Sequence, residues 1–162
     1  MAASSPEHIC CPDVDLERWD GKTHVWKDKL FLQDNTIQFM HIPLNMGRVV
    51  TRMMKKVEGA GAATELGDFL MLAYDPSPWK SEIHVSVTKD VPGGKMVNLS
   101  GTFFSKVFDG PYNAAPKWMK EVEAILKEDS KVAQRYYFYY TTCPKCAKLK
   151  GKNHCIVFAQ LE

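Results

Sequence analysis

Pro43-Leu44-Asn45 and Pro111-Tyr112-Asn113 each open a helix-like stretch, and the two tripeptides stand 68 positions apart. The same offset separates Asp75-Pro76, which ends an apolar run from Phe69, from Cys143-Pro144, which ends an aromatic run from Tyr137. Each half then closes on a short alternating strand, Glu82–Val87 in the first and Cys155–Gln160 in the second. An offset shared by helix and strand, with the order of elements kept, reads as a duplicated β-α-β-β unit. The fold class this predicts is α+β. Tandem β-α-β-β modules form a pseudo-twofold antiparallel sheet, with helices on one face and a ligand cleft on the other.

Working outward, Thr36–Ile42 reads as the first strand of module one. Asn45 is a candidate N-cap for a helix from about Met46 to Glu58, whose apolar stripe is Val50, Met53, Met54 and Val57. Gly59 and Gly61 stop it. Phe69–Tyr74 and Ser81–Thr88 are strands about a turn at Asp75-Pro76-Ser77-Pro78. In module two, Gly101–Phe108 is a strand and Asp109-Gly110-Pro111 a turn. A helix from about Asn113 to Lys127 carries Trp118, Val122, Ile125 and Leu126 on one stripe. Tyr136–Thr142 and Cys155–Ala159 complete the module. The domain reading is therefore a single domain over 36–160, with modules at about 36–92 and 95–160. Residues 1–35 form an N-terminal arm containing a strand near His24–Leu32. Trp19 and Trp26 are expected to pack that arm on the body, because indoles are costly to leave in water.

Composition excludes several classes. The 162 residues are 45% hydrophobic and 25% charged, which is ordinary for a globular protein. A net charge of +2 without a basic stripe argues against direct nucleic-acid binding. No apolar run reaches the roughly 18–20 residues of a membrane span. The start, Met1-Ala2-Ala3-Ser4-Ser5-Pro6-Glu7, lacks the pattern of a signal peptide. Five cysteines, an odd number, then favour a reducing cytoplasm. The oligomeric expectation is a monomer or weak dimer.

Gly110-Pro111-Tyr112, followed by a helix and a strand ending in Tyr140-Thr141-Thr142-Cys143-Pro144, resembles the second module of the gyrase-inhibitor (GyrI-like) small-molecule-binding family. The first module carries Tyr74-Asp75-Pro76 and then Glu82-Ile83 on its closing strand. Cys143 stands where the family pattern has Asp, and Cys155 where it often has a ligand-facing Glu. The resemblance covers about residues 36–160. It implies a cleft between modules that takes amphipathic, often aromatic, small molecules. With no DNA-binding segment, the chain resembles the stand-alone members, some of which are similar to hydrolases that open electrophilic cyclopropane rings.

On the closing strand of module one, Glu82, His84 and Ser86 alternate with Ile83, Val85 and Val87, so three polar residues share one face. A carboxylate there can act as a general base toward water or hold a cation against aromatic walls. Alternation is also what any half-exposed strand shows. His84 is a candidate ligand contact, Trp79 a candidate lid, and Tyr112 and Tyr140 candidate acids that assist at a leaving oxygen. Tyr137, Tyr139, Phe104 and Trp118 are candidate aromatic walls. Core packing accounts for part of this aromatic content equally well.

Cys143-Pro144-Lys145-Cys146 has the spacing of a zinc half-site or a redox pair, although too little chain follows it for a thioredoxin fold. A structural zinc on Cys10, Cys11, Cys143 and Cys146 is one reading, and free thiols in a surface loop the other. No cofactor is required by the functional reading. That reading is hydrolysis of an electrophilic, cyclopropane-type aromatic ligand for detoxification, with Glu82 positioning water. The rival is a non-catalytic sensor, sequestering or gyrase-inhibitor-like module. A zinc- or redox-active Cys-x-x-Cys protein is the third.

Overall fold

The computed structural model describes residues 14–40, 42–142, 148, 151 and 153–162. Elements follow in the order β1 (Lys22–Phe39), β2 (Ile42–Pro43), α1 (Met46–Gly59), β3 (Met71–Ser77), β4 (Lys80–Ser86), β5 (Lys95–Asp109), α2 (Ala115–Glu128), β6 (Ala133–Tyr140) and β7 (His154–Leu161). The strands form one antiparallel sheet in the order β2-β1-β4-β3-β6-β7-β5. β1 also pairs with β5, from Lys22 opposite Ser105 to Gln33 opposite Lys95. The six long strands therefore close into a barrel-like sheet with two helices outside it, an α+β architecture. The α+β class and antiparallel sheet agree with expectation, whereas the sheet expected to carry helices on one face and a cleft on the other is closed on itself. What the sequence reading treated as one face with a cleft is the inside of a closed sheet.

Closure depends on the length of β1. The reading of two strands, His24–Leu32 and Thr36–Ile42, is corrected to one strand of 18 residues. The polar triplet Gln33-Asp34-Asn35 resembles a loop but continues the ladder, opposite His84, Ile83 and Glu82 of β4. The strand bends instead at a bulge between Trp26 and Lys29. There Asp28 takes a left-handed φ of 51°, and its N–H donates to Ser100 Oγ at 2.8 Å. Similarly, β3 runs through Asp75-Pro76 to Ser77, with irregular pairing between Tyr74 and Ser77. Proline is tolerated at such an irregularity because no ladder donor is needed. The turn falls on Pro78 and Trp79.

Period 2 then sorts each strand between two environments. Outside the barrel, Ile83, Val85 and Leu32 meet Val49, Met53 and Val57 of α1. Also outside, Cys155, Val157 and Ala159 meet Trp118, Val122 and Leu126 of α2. The α1 stripe is one position round from the expected Val50, and Ile125 is only half-buried on α2. Asn45 occupies the N-cap position without capping, since its Oδ1 accepts from the Ile37 N–H at 2.8 Å. Inside the barrel, Phe31, Leu72, Phe103, Tyr137, Ile156 and Phe158 form a ring-rich core.

Candidate functional site

The two ends of the barrel differ in polarity. One end is stoppered by Trp19, which is 5% exposed and packs edge-on against Phe158 at 5.5 Å. Its carbonyl accepts from Ser105 Oγ, which also lies 2.8 Å from His24 Nε2. At the other end, the inward-facing residues turn polar. On β1 they are Gln33 and Asn35, with Gln33 Nε2 donating to Asn35 Oδ1 at 2.8 Å. Glu82 of β4 sits between Asn35 of β1 and Tyr74 of β3 in the ladder. Its side chain is 25% exposed, with Lys80 Nζ 3.9 Å away. Arg135 of β6 lays its guanidinium over the Tyr74 ring, 4.3 Å from the centroid, and donates to Tyr137 Oη at 3.4 Å.

Beneath this mouth the rings close up. Tyr74 and Tyr137 are 5.7 Å apart, and His84 meets Tyr137 edge-on at 5.8 Å and Phe31 at 6.2 Å. Deeper still, Trp26 lies against Phe103 at 4.2 Å and Phe158 at 5.7 Å. The lumen is filled by these side chains, and Glu82, 25% exposed, lies at its polar end. Two residues beyond Asn35 on the same face of β1 comes Ile37, 62% exposed, and then Phe39, whose ring meets the exposed Trp79 at 5.5 Å. These three apolar side chains form a rim beside the mouth. A surface depression of about 580 Å³ lies elsewhere, along α1 between Gly47 and Lys56. Its lining, Gly47, Arg48, Thr51, Arg52, Lys55 and Lys56, includes no carboxylate or ring.

Burial sets the protonation of this site. His84 is buried, and desolvation holds its imidazole below the usual histidine range; the Glu82 charge partly opposes this. Among the described residues its Nδ1 has no hydrogen-bond partner, although the backbone of Leu72 and Glu82 lies near enough to favour a proton. Desolvation raises the Tyr137 phenol, and the hydrogen bond from Arg135 pulls it partly back. That same bond raises the Arg135 guanidinium.

The expected site residues divide between the two sides of the sheet. Glu82, His84, Tyr137 and Tyr139 face the barrel interior, and Trp79 stands on the rim. Tyr112, Tyr140, Phe104 and Trp118 belong to the α2 side. There Tyr112 packs edge-on against Tyr140 at 4.9 Å and donates to the Thr142 carbonyl at 3.5 Å. Burial raises the Tyr140 phenol well above the tyrosine range. Neither phenol reaches the mouth, so Glu82 has Tyr137 and Arg135 near it instead. The parity of β6 accounts for this: Arg135, Tyr137 and Tyr139 share one face, and Tyr136, Phe138 and Tyr140 the other. That alternation was the available signal for Arg135, which sequence reasoning missed along with Gln33, Asn35 and the inward role of Tyr74. The cysteines proposed for zinc, Cys10, Cys11, Cys143 and Cys146, lie outside the described residues. Cys155 is buried under α2, and desolvation raises its thiol far above the reactive range.

The profile of the bacterial hydrolase family matches residues 1–161. The chain belongs to the bacterial hydrolase family. No curated protein matches it. Among solved structures, this bacterial hydrolase family member is similar to the C-terminal domain of EcmrR (TM-score 0.66, 9% identity, covering 89% of this chain and 98% of that one). It is also similar to a hydrolase from Listeria innocua (TM-score 0.63, 11% identity, 87% and 91% covered). A third is SAV2435 bound to tetraphenylphosphonium (TM-score 0.53, 8% identity, 87% and 93% covered). At such identities the likeness is one of fold. Among the described residues, no helix is long and apolar enough to cross a membrane.

Proposed function

We propose that this protein binds an amphipathic, aromatic small molecule at the open mouth of its barrel and adds water to an electrophilic carbon of that ligand. The observation that carries the reading is the setting of Glu82. It is a partly exposed carboxylate on the inward face, above the rings of Tyr74, Tyr137 and His84 and beside the apolar rim of Ile37, Phe39 and Trp79. Rings supply area and stacking for a flat ligand. A carboxylate within reach of bulk water can take a proton from a water molecule as it attacks. Arg135, hydrogen-bonded to Tyr137, would serve as the donor to a leaving oxygen as it gathers charge. Hydrolase membership and the aromatic ligand held by the like-folded SAV2435 both support the reading. The cyclopropane-type electrophile and a detoxifying role are its sharper form, together with a duplicated, pseudo-twofold origin of the two halves.

Incubation with activated cyclopropanes, followed by mass spectrometry of the products, tests this. The wild-type chain should yield a product heavier by one water. Glu82→Gln should retain ligand binding within about threefold and lose at least about a hundredfold in turnover, the usual scale for a removed general base. Undiminished turnover in Glu82→Gln would sink the reading. Tight binding with no adduct from any electrophile would leave the non-catalytic, sequestering alternative.

A further inference from the structure

We infer that Arg135 sets the chemical class of ligand at the mouth. It occupies the place a cation would take between the Tyr74 ring and Glu82, so the site favours neutral or anionic oxygen-bearing ligands over lipophilic cations. The inference rests on the mouth being the ligand site, as proposed above. An aromatic face beside a carboxylate is by itself a cation site, since the ring quadrupole and the carboxylate both attract positive charge. In this chain that place is taken from within. The guanidinium sits 4.3 Å from the Tyr74 centroid and is tied to Tyr137 Oη at 3.4 Å. The tie is built into the sheet. Arg135 faces Gln160 of β7 where the pairing is irregular after Ala133, and it shares the inward parity of Tyr137.

Lys80 points the same way. Its Nζ approaches Glu82 at 3.9 Å. A cation entering from solvent therefore meets Lys80 and Arg135 beside one carboxylate, and must displace Arg135 to reach the face of Tyr74 that it covers. A carbonyl, phenolate or carboxylate meets the opposite situation. Guanidinium carries five N–H donors, only one of which is given to Tyr137, and the rest can fork onto an oxygen. The same fork would hold the oxygen on which charge develops when water adds to a neutral electrophile. Substrate class and assistance at that oxygen thus come from one side chain.

Two probes of matched shape and opposite charge, tetraphenylphosphonium and tetraphenylborate, separate the cases by calorimetric titration of the full chain. The wild-type protein should bind the borate at least about tenfold more tightly than the phosphonium. Arg135→Gln should invert that order, tightening the cation and weakening the anion, each by about tenfold. Arg135→Lys should keep the wild-type order, because charge rather than shape decides it. If Arg135→Gln moves both probes equally or not at all, while Glu82→Gln still weakens the phosphonium, the inference fails and the mouth remains the site. If neither substitution changes the binding of either probe, the mouth is not the site and both readings fall.

Discussion

His84 shows how the address of a single side chain becomes a property of the whole molecule. The ring is 4% exposed between Phe31 and Tyr137, and burial depresses its affinity for a proton. The unfolded chain therefore binds that proton more readily than the folded one, so stability rises with pH between the folded and unfolded values. The contribution is complete above the ordinary histidine value of about 6.5 and is lost as pH falls below it. His24, similarly depressed by desolvation, acts in the same direction. Urea unfolding at pH 7.5 and 5.5 should show the wild-type midpoint falling with acid, and His84→Asn should flatten part of that fall. An unchanged slope in His84→Asn would contradict the assignment. Glu82 and His84 were legible from simple alternation on one short strand. Arg135 was not, because a lone arginine at the start of an aromatic strand looks like ordinary solubility until its neighbours across β3 are known.

At the scale of elements, both helices were legible because their apolar stripes follow the helical period and their ends carry Pro, Asn and Gly signals. Less legible was the side of the sheet each aromatic residue would serve. β6 is apolar or aromatic on both faces, one against the lumen and one against α2, so pattern alone cannot separate wall from ligand surface. Trp118 decides the matter for α2. It is 4% exposed, and its ring stacks on Phe108 at 5.5 Å, far from the mouth. Trp118→Ala should therefore cost about 3–5 kcal/mol of stability, the range for truncating a large core ring. Ligand affinity measured on the fraction that remains folded should be unchanged. A specific loss of ligand affinity at full stability would move the site to the α2 side.

For the molecule as a whole, the order of elements was readable and the closure was not. Closure rests on β1 and β5 pairing along their length, and long-range pairing leaves no local mark on either strand. What can be found is the device that bends them. β1 bulges after Trp26, and opposite Trp26 stands Gly101 with φ 131°, a backbone conformation that side chains with a Cβ avoid. Gly101→Ala should destabilise the fold by about 1–3 kcal/mol through strain alone, since a Cβ there would meet only ordinary contacts. The urea midpoint should fall without a change in slope. A neutral outcome would mean that the bend is made elsewhere.

Trp19 closes the far end of this barrel, and the consequence is kinetic. With Trp19 at that end and the lumen filled by rings, the described residues leave no path through the barrel. In the hydrolysis proposed above, product would leave by the route its precursor took, so the two molecules would contend for the same rings and the same carboxylate. The expected signature of the proposed reaction is product inhibition that rising substrate overcomes.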